Sequence, residues 1–407
     1  MAQLSVRHFH LKINKAFVHL VQYGNSESVI NSLRLQNSVS SRSPSPSRHN
    51  DPNRSYIDQS PSTNAALLAG NKSAPISGPS NEFTDNNKVV RKLVVFIPGN
   101  PGVLGMYHDF LVALHRTLSV ASDEASEQIV ILAMSHNNFD HPDHCDYPSD
   151  ERIFVEDSEM NFFEQFKAHA NCDPHHIDLQ AINKLFILKR LLKVDLKQID
   201  RDGCELVFVG HSIGCYVILK LLQDKALAEA HSGSILVHPA LENLALTEQG
   251  NKIANLFALK LDYLLRAMAF AVAKVIPKSA RLAIVKWYCP REFVESSSEI
   301  VIGSMEQLVH SVELNALIRM AKSEFVSIKD LNHDKMIKPH VDKLKLIYTK
   351  GDRWANDGHR LELIQSYPDL HIEQQQTLHA FIMDPIVVRD YTIKIAQFIR
   401  EYFRPKQ

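Results

Sequence analysis

Gly210-His211-Ser212-Ile213-Gly214 fits the pattern G-x-S-x-G. An apolar run, Leu206-Val207-Phe208-Val209, precedes it, and an apolar helical pattern from Ile213 to Leu222 follows. A serine on a sharp strand-to-helix turn presents its hydroxyl at the end of a sheet. Gly210 and Gly214 suit that turn, because larger side chains there would collide with strand or helix. Serine is a weak nucleophile until a base takes its proton, and the base needs an acid to orient it. The chemistry expected is attack by Ser212 on an acyl carbon.

For this kind of turn the partners follow in the order acid, then histidine. The apolar run Leu344 to Tyr348 leads into Thr349-Lys350-Gly351-Asp352. An acid just past a strand end shares the sheet edge with Ser212, so Asp352 is the candidate acid. His379, beyond the run that begins at Leu370-His371-Ile372, is the candidate base. His371 lies within a strand pattern, and His359 follows Asp352 too closely to belong to the next strand's loop. Glu242, after the run Ile235-Leu236-Val237, is a substitute acid. His211 is expected to be a packing residue, and Asp384, before Pro385, a helix cap.

A tetrahedral intermediate needs two N–H donors aimed at its oxyanion. Ile213, next to the nucleophile, supplies one. The other is expected from Pro98-Gly99-Asn100-Pro101-Gly102, where neither proline has an N–H. Asn100 is the candidate. His136, His141, His144 and Cys145 crowd one loop with Asp140, Asp143 and Asp146. Their spacing fits no zinc pattern, so a solvated loop is expected there, with no metal and no cofactor.

These residues need a sheet to converge. Leu93 to Ile97, Gln128 to Met134, Leu206 to Val209, Ile235 to Val237 and Leu344 to Tyr348 read as strands. Helical patterns intervene at Phe110 to Val120, Leu179 to Val194 and Ile213 to Leu222. Near-continuous apolar strands alternating with helices predict an α/β fold with a mostly parallel sheet covered on both faces. The alternation breaks at about 245–340, a mostly helical insertion that is very apolar from Leu256 to Ile284.

The chain has 407 residues, with 45 Lys and Arg against 46 Asp and Glu. That balance argues against a nucleic-acid partner. Five scattered cysteines without a C-x-x-C pair argue against a disulfide scaffold. Residues 32–87 hold 13 Ser, 8 Asn and 6 Pro and cannot bury enough apolar surface to offset chain entropy. The expected organisation is a disordered extension over 1–87 and one folded domain over 88–407, so removal of the extension should be harmless. Glu27 is the sole acid in the first 50 residues. That composition allows a mitochondrial transit peptide as an alternative to a basic, poorly ordered extension.

From about Val89 onward the chain resembles the lipid droplet-associated hydrolases of the α/β-hydrolase superfamily. The matching stretches are Ile97 to Gly102, Gly210 to Gly214, Lys286-Trp287-Tyr288-Cys289-Pro290, Tyr348 to Trp354 and His379-Ala380-Phe381. The resemblance implies the α/β-hydrolase fold and a serine hydrolase of lipid esters, including sterol esters. It implies residence on lipid droplets and the endoplasmic reticulum, with the droplet monolayer as partner. It also brings in Ser212, Asp352 and His379 as the triad. The family's Ser-His-x-Gly-His appears here as Ser135-His136-Asn137-Asn138-Phe139. A second reading keeps the scaffold without the chemistry, as a protein that coats or clusters droplets.

As one helix at about 100° per residue, Lys252 to Ile276 gathers Lys252, Asn255, Lys260, Asp262, Arg266 and Lys274 within roughly 160°. Phe257, Leu261, Leu264, Leu265, Met268, Val272 and Val275 lie opposite. A soluble lid and a helix lying in a lipid surface share this pattern. The bulky apolar side and the cations on the polar arc favour the lipid surface. Leu264, Leu265, Met268 and Val272 are the expected membrane contacts.

Overall fold

The computed structural model describes residues 5–13, 16–24, 90–120, 128–140, 151–154, 173–202, 205–309, 311–355 and 357–402. Among the described residues nine strands form one sheet: β1 (Val6–Ile13), β2 (Ala16–Tyr23), β3 (Val90–Ile97), β4 (Gln128–Met134), β5 (Glu151–Phe154), β6 (Glu205–His211), β7 (His231–Val237), β8 (Leu344–Thr349) and β9 (His371–Gln375). Their spatial order is β5-β1-β2-β4-β3-β6-β7-β8-β9. The run from β4 to β9 is parallel throughout. It contains every strand expected from the apolar runs.

Parallel strands buried on both faces need apolar residues at successive positions. In β3, Leu93, Val95 and Ile97 enter one core, and Val94 and Phe96 enter the other. Helices Ile177–Asp202 and Ile213–Leu221 cover the first face. Helices His108–Val120 and Pro385–Tyr402 cover the second. All seven residues of β6 are buried, which places the strand that carries the G-x-S-x-G turn in the middle of the sheet.

The N-terminal expectation is corrected. Residues 6–23 form a hairpin, with β2 antiparallel to β4 and β1 parallel to β5. Phe9, Leu11, Val18, Leu20, Val21 and Tyr23 are buried in the cores. Their alternation with polar residues, His10 and His19 among them, is a period-two strand signal, interrupted where Leu20 and Val21 are adjacent. The transit-peptide reading gives way here, since the sheet uses these residues. The Ser- and Asn-rich stretch over 32–87 lies outside the described residues.

The hairpin also reaches toward the G-N-P-G loop. His10 Nε2 donates to the Asp140 carbonyl at 2.9 Å, and His19 Nδ1 lies 3.2 Å from Asp140 Oδ2. The same carboxylate accepts the Leu104 N–H at 2.8 Å. His136 is buried, donating from Nε2 to the Pro98 carbonyl at 2.9 Å and meeting Lys184 Nζ through Nδ1 at 3.2 Å. His141, Asp143, His144, Cys145 and Asp146 lie outside the described residues.

Between β7 and β8 the insertion is helical, as expected. The single helix expected over 252–276 is two, Glu248–Ala258 and Leu261–Val275. Lys260, left-handed at φ 57°, separates them. The turn lets both pack against helix Ser311–Ser327. Among the described residues no helix is long and apolar enough to cross a membrane.

Candidate active site

Ser212 occupies φ 52°, ψ −119° between β6 and helix Ile213–Leu221. A non-glycine residue at that φ is strained and persists only where its surroundings hold it. The helix packs so closely that a Cβ on Gly214 would lie 2.3 Å from the Ile97 carbonyl oxygen. Glycine is therefore required at 214 by contact with β3.

His379 Nε2 is 2.9 Å from Ser212 Oγ, and its Nδ1 is 2.7 Å from Asp352 Oδ2. The three candidates come from the ends of different strands and form one relay. Asp352 Oδ1 accepts the Trp354 N–H at 2.8 Å. Burial opposes ionisation of Asp352. The hydrogen bond and charge of His379, with the Trp354 amide, outweigh it and hold the carboxyl below its ordinary range. An ionised Asp352 fixes the proton on His379 Nδ1 and leaves Nε2 free to take one from serine.

The loop that carries His379 is tied to the end of β8. Thr349 Oγ1 donates to the Thr377 carbonyl at 2.6 Å and accepts the Thr377 N–H at 3.0 Å. Two further histidines grip the His379 carbonyl: His211 Nε2 at 2.9 Å and His238 Nδ1 at 2.7 Å. A carbonyl only accepts, so both facing nitrogens carry protons. Tyr107 then donates to His211 Nδ1, and Tyr391 to His238 Nε2, each at 2.8 Å. Burial depresses both imidazoles, His211 well below its usual value and His238 to about 4, so both are neutral. His211 is thus a positioning residue rather than simple packing. His238 was not singled out by sequence reasoning. Its signal was its place directly after the apolar run of β7.

Ile213 is the first residue of its helix, so its N–H has no intrahelical acceptor. The Pro98–Gly102 loop lies against the nucleophile: a Cβ on Gly99 would be 3.1 Å from the Ser212 Cβ. Asn100 lines the same cavity as Ser212. Its side chain donates to the Leu317 carbonyl at 3.3 Å and to Glu324 Oε1 at 2.9 Å, tying the loop to the insertion.

The rivals go elsewhere. His371 pairs with Glu373 at 3.0 Å. Asp384 caps the last helix, accepting the Ile386 and Val387 N–H groups at 2.9 and 3.2 Å. Glu242 takes no part in the relay and lies with His333 and His359.

Ser212 and His379 open into a cavity of about 360 Å³. Leu244, Leu256, Phe257, Leu314 and Ile318 line it, and Glu324 is buried in its wall. Such a volume, apolar with a few polar groups, fits a small-molecule site. Burial pushes the Glu324 carboxyl up to about 8, against the Asn100 hydrogen bond, which lowers it. Between the usual carboxylate pKa of 4.5 and about 8, the folded chain holds a proton that the unfolded chain releases. Stability from this group therefore falls as pH rises through that window and levels off above it. Glu324→Gln keeps an acceptor for Asn100 and does not titrate. Its melting temperature relative to the parent should rise between pH 5 and 8. Parallel curves in thermal melts across that range would show that Glu324 ionises normally.

A model of the family described as lipid-droplet associated hydrolase matches residues 90–382. The chain belongs to this family. The lipid droplet-associated hydrolase of Gallus gallus is 25% identical over 302 residues, covering 74% of this chain and 82% of that protein. The Homo sapiens relative is 24% identical over 310 residues, covering 75% and 85%. The Drosophila melanogaster relative is 20% identical over 312 residues, covering 74% and 88%. Among solved structures, a peroxisomal α/β-hydrolase of Saccharomyces cerevisiae aligns at 12% identity with a TM-score of 0.46, over 100% of this chain and 93% of that one. Family membership makes the chain a hydrolase with the α/β-hydrolase fold, and the sheet order and turn geometry agree with it.

The insertion of this family member turns its helix Leu261–Val275 outward. On its polar side Asp262 and Arg266 face the protein, while Lys274 is exposed. Asp262 is 0% exposed, pairing with Arg266 and with Lys322, the latter at 2.7 Å, and Arg266 reaches Asn315 at 3.0 Å. Its apolar side faces out, with Leu264 58% and Met268 55% exposed, while Leu265, 40% exposed, also reaches the cavity wall and Val272 is half-buried. Trp287 and Tyr288, at the end of helix Lys278–Tyr288, are 84% and 83% exposed.

Proposed function

We propose that this protein is a serine esterase that hydrolyses lipid esters, sterol esters among them, at the surface of a lipid droplet. The observation that carries the reading is the Ser212–His379–Asp352 relay on the wall of an apolar cavity. In this reading His379 takes the Ser212 proton as the hydroxyl attacks the ester carbonyl. The N–H groups of Ile213 and Asn100 receive the oxyanion. His379 then returns the proton to the leaving alcohol, and water releases the acid from the acyl-enzyme by the same route. His211 and His238, neutral and locked, hold the backbone of the base and exchange no proton. No cofactor enters these steps.

The outward apolar helix supports the droplet surface. A lid serving only a soluble enzyme buries its apolar stripe. Here Asp262 is buried while Leu264 and Met268 stand exposed. Large exposed apolar patches mark interaction surfaces, and aromatic side chains favour the lipid–water boundary. A droplet has one leaflet over an oil core, so a segment that lies in it suffices. The relatives' names associate them with lipid droplets, which supports the same surface.

Two measurements test the reading together. A fluorophosphonate probe should label the parent protein and leave Ser212→Ala unlabelled. In lipid-loaded cells, replacing Leu264, Leu265, Met268 and Val272 by Ser or Gln should move the protein off droplets while labelling persists. A protein that coats droplets and resists the probe is a coat without chemistry. One that reacts and ignores the four substitutions has its anchor elsewhere.

A further inference from the structure

Two rejected catalytic rivals, Glu242 and His359, form a second cluster with His333. His333 Nε2 is 3.1 Å from Glu242 Oε1, and His359 Nε2 is 3.6 Å from Glu242 Oε2. One donor atom from each residue lies within 4.8 Å of the others. We propose that Glu242, His333 and His359 bind one divalent transition-metal ion, of the Zn²⁺ class, at the neck of the helical insertion.

Three observations carry this. The first is spacing. A tetrahedral site with Zn–N and Zn–O bonds near 2.1 Å sets its donor atoms about 3.3–3.4 Å apart, and each imidazole Nε2 lies close to that distance from one of the two Glu242 oxygens, with one donor atom of each residue within 4.8 Å of the others. The second is the state of His359, which is only 7% exposed. Its Nε2 makes no hydrogen bond among the described residues. If that nitrogen carries a proton, the nearest carboxylate oxygen is too far to accept it. If it carries a lone pair, it faces another acceptor. A cation between them satisfies both groups. The third is the outer support. His359 Nδ1 lies 3.4 Å from the Tyr348 hydroxyl, and the Leu331 N–H donates to Glu242 Oε1 at 2.9 Å. Ligand histidines commonly use their second nitrogen in this way. Two imidazoles and a carboxylate suit zinc, with water completing the shell at the half-buried side.

The position says what the ion does. Glu242 follows β7, just before the insertion, and His333 opens helix His333–Met336 near its end, 91 positions later. His359 sits on helix Asp357–Ser366, just after the loop that carries Asp352. One ion would fasten both ends of the insertion to the sheet domain. Its role is structural, and Ser212 chemistry proceeds without it.

The full-length protein, stripped with a chelator and dialysed, is titrated with Co²⁺ and separately with Zn²⁺. One equivalent of Co²⁺ should bind with visible absorption of tetrahedral intensity, and Zn²⁺ should displace it. At a hundredfold excess over Kd, Zn²⁺ should raise the melting temperature by at least about 3 °C. His333→Ala and His359→Gln should each lose the absorption and the shift, and still react with the fluorophosphonate probe. Parent protein with neither signal overturns the proposal, whatever the variants do. Full binding in both folded variants also overturns it, and would point to other ligands such as the 141–146 loop. Failure of probe labelling bears on the esterase reading alone.

Discussion

Ser212→Ala is expected to lower ester turnover by roughly 10⁵–10⁶-fold, with little change in melting temperature. Alanine keeps the Cβ and therefore the backbone conformation at φ 52°. What disappears is the one atom that His379 Nε2 meets at 2.9 Å. His379→Ala should cost about as much, because a serine without its base attacks poorly. Asp352→Asn should cost about 10⁴-fold, by favouring the wrong tautomer of the base. The decisive measurement is the double variant of Ser212 and His379. Residues that act as a unit lose their effect once, so the pair should be no slower than either single change. Multiplicative losses in kcat/KM on a p-nitrophenyl ester would show His379 working outside the relay.

Deleting residues 1–24 is expected to prevent folding, the reverse of what composition alone suggests for the N-terminus. The hairpin buries six large apolar side chains, Phe9, Leu11, Val18, Leu20, Val21 and Tyr23. Each contributes roughly 1.5–3 kcal/mol of burial, and a whole domain is stable by only about 5–15 kcal/mol. Its loss would also bare the edge of β4, whose Ile131 to Met134 now pair with β2. An exposed apolar edge strand promotes aggregation. Leu20→Asp should do similar damage in the full chain by burying a charge without a partner. The check is soluble yield and thermal melting. A truncated chain that melts within a few degrees of the parent would show that the hairpin is dispensable.

Much of the site was legible in the residues. The G-x-S-x-G turn declares itself because its requirements are local: an apolar strand, a tight turn and a helix within about 17 residues. Asp352 and His379 were accessible because a parallel sheet brings the ends of successive strands to one edge. The five strands from β4 to β8 in the sheet order were readable because burial on both faces demands continuous apolar runs. The hairpin was less legible, since the adjacent Leu20 and Val21 break its alternation and its partners, β4 and β5, lie more than a hundred residues downstream.

Other features exist only in the folded chain. Periodicity divides Leu261–Val275 into two faces, but cannot say which one the protein covers. That was decided by Lys322 and Asn315 on a different helix, which take in Asp262 and Arg266 and leave the leucines outside. The grip of His211 and His238 on the His379 carbonyl joins positions 168 and 141 residues apart. Glu242, His333 and His359 follow no ligand spacing along the chain. Sequence by itself determined the local geometry and the kind of chemistry, because covalent structure sets periodicity and turns over a few residues. Tertiary structure decided which side chains support that chemistry and which face meets the outside, because those depend on atoms that only packing brings together.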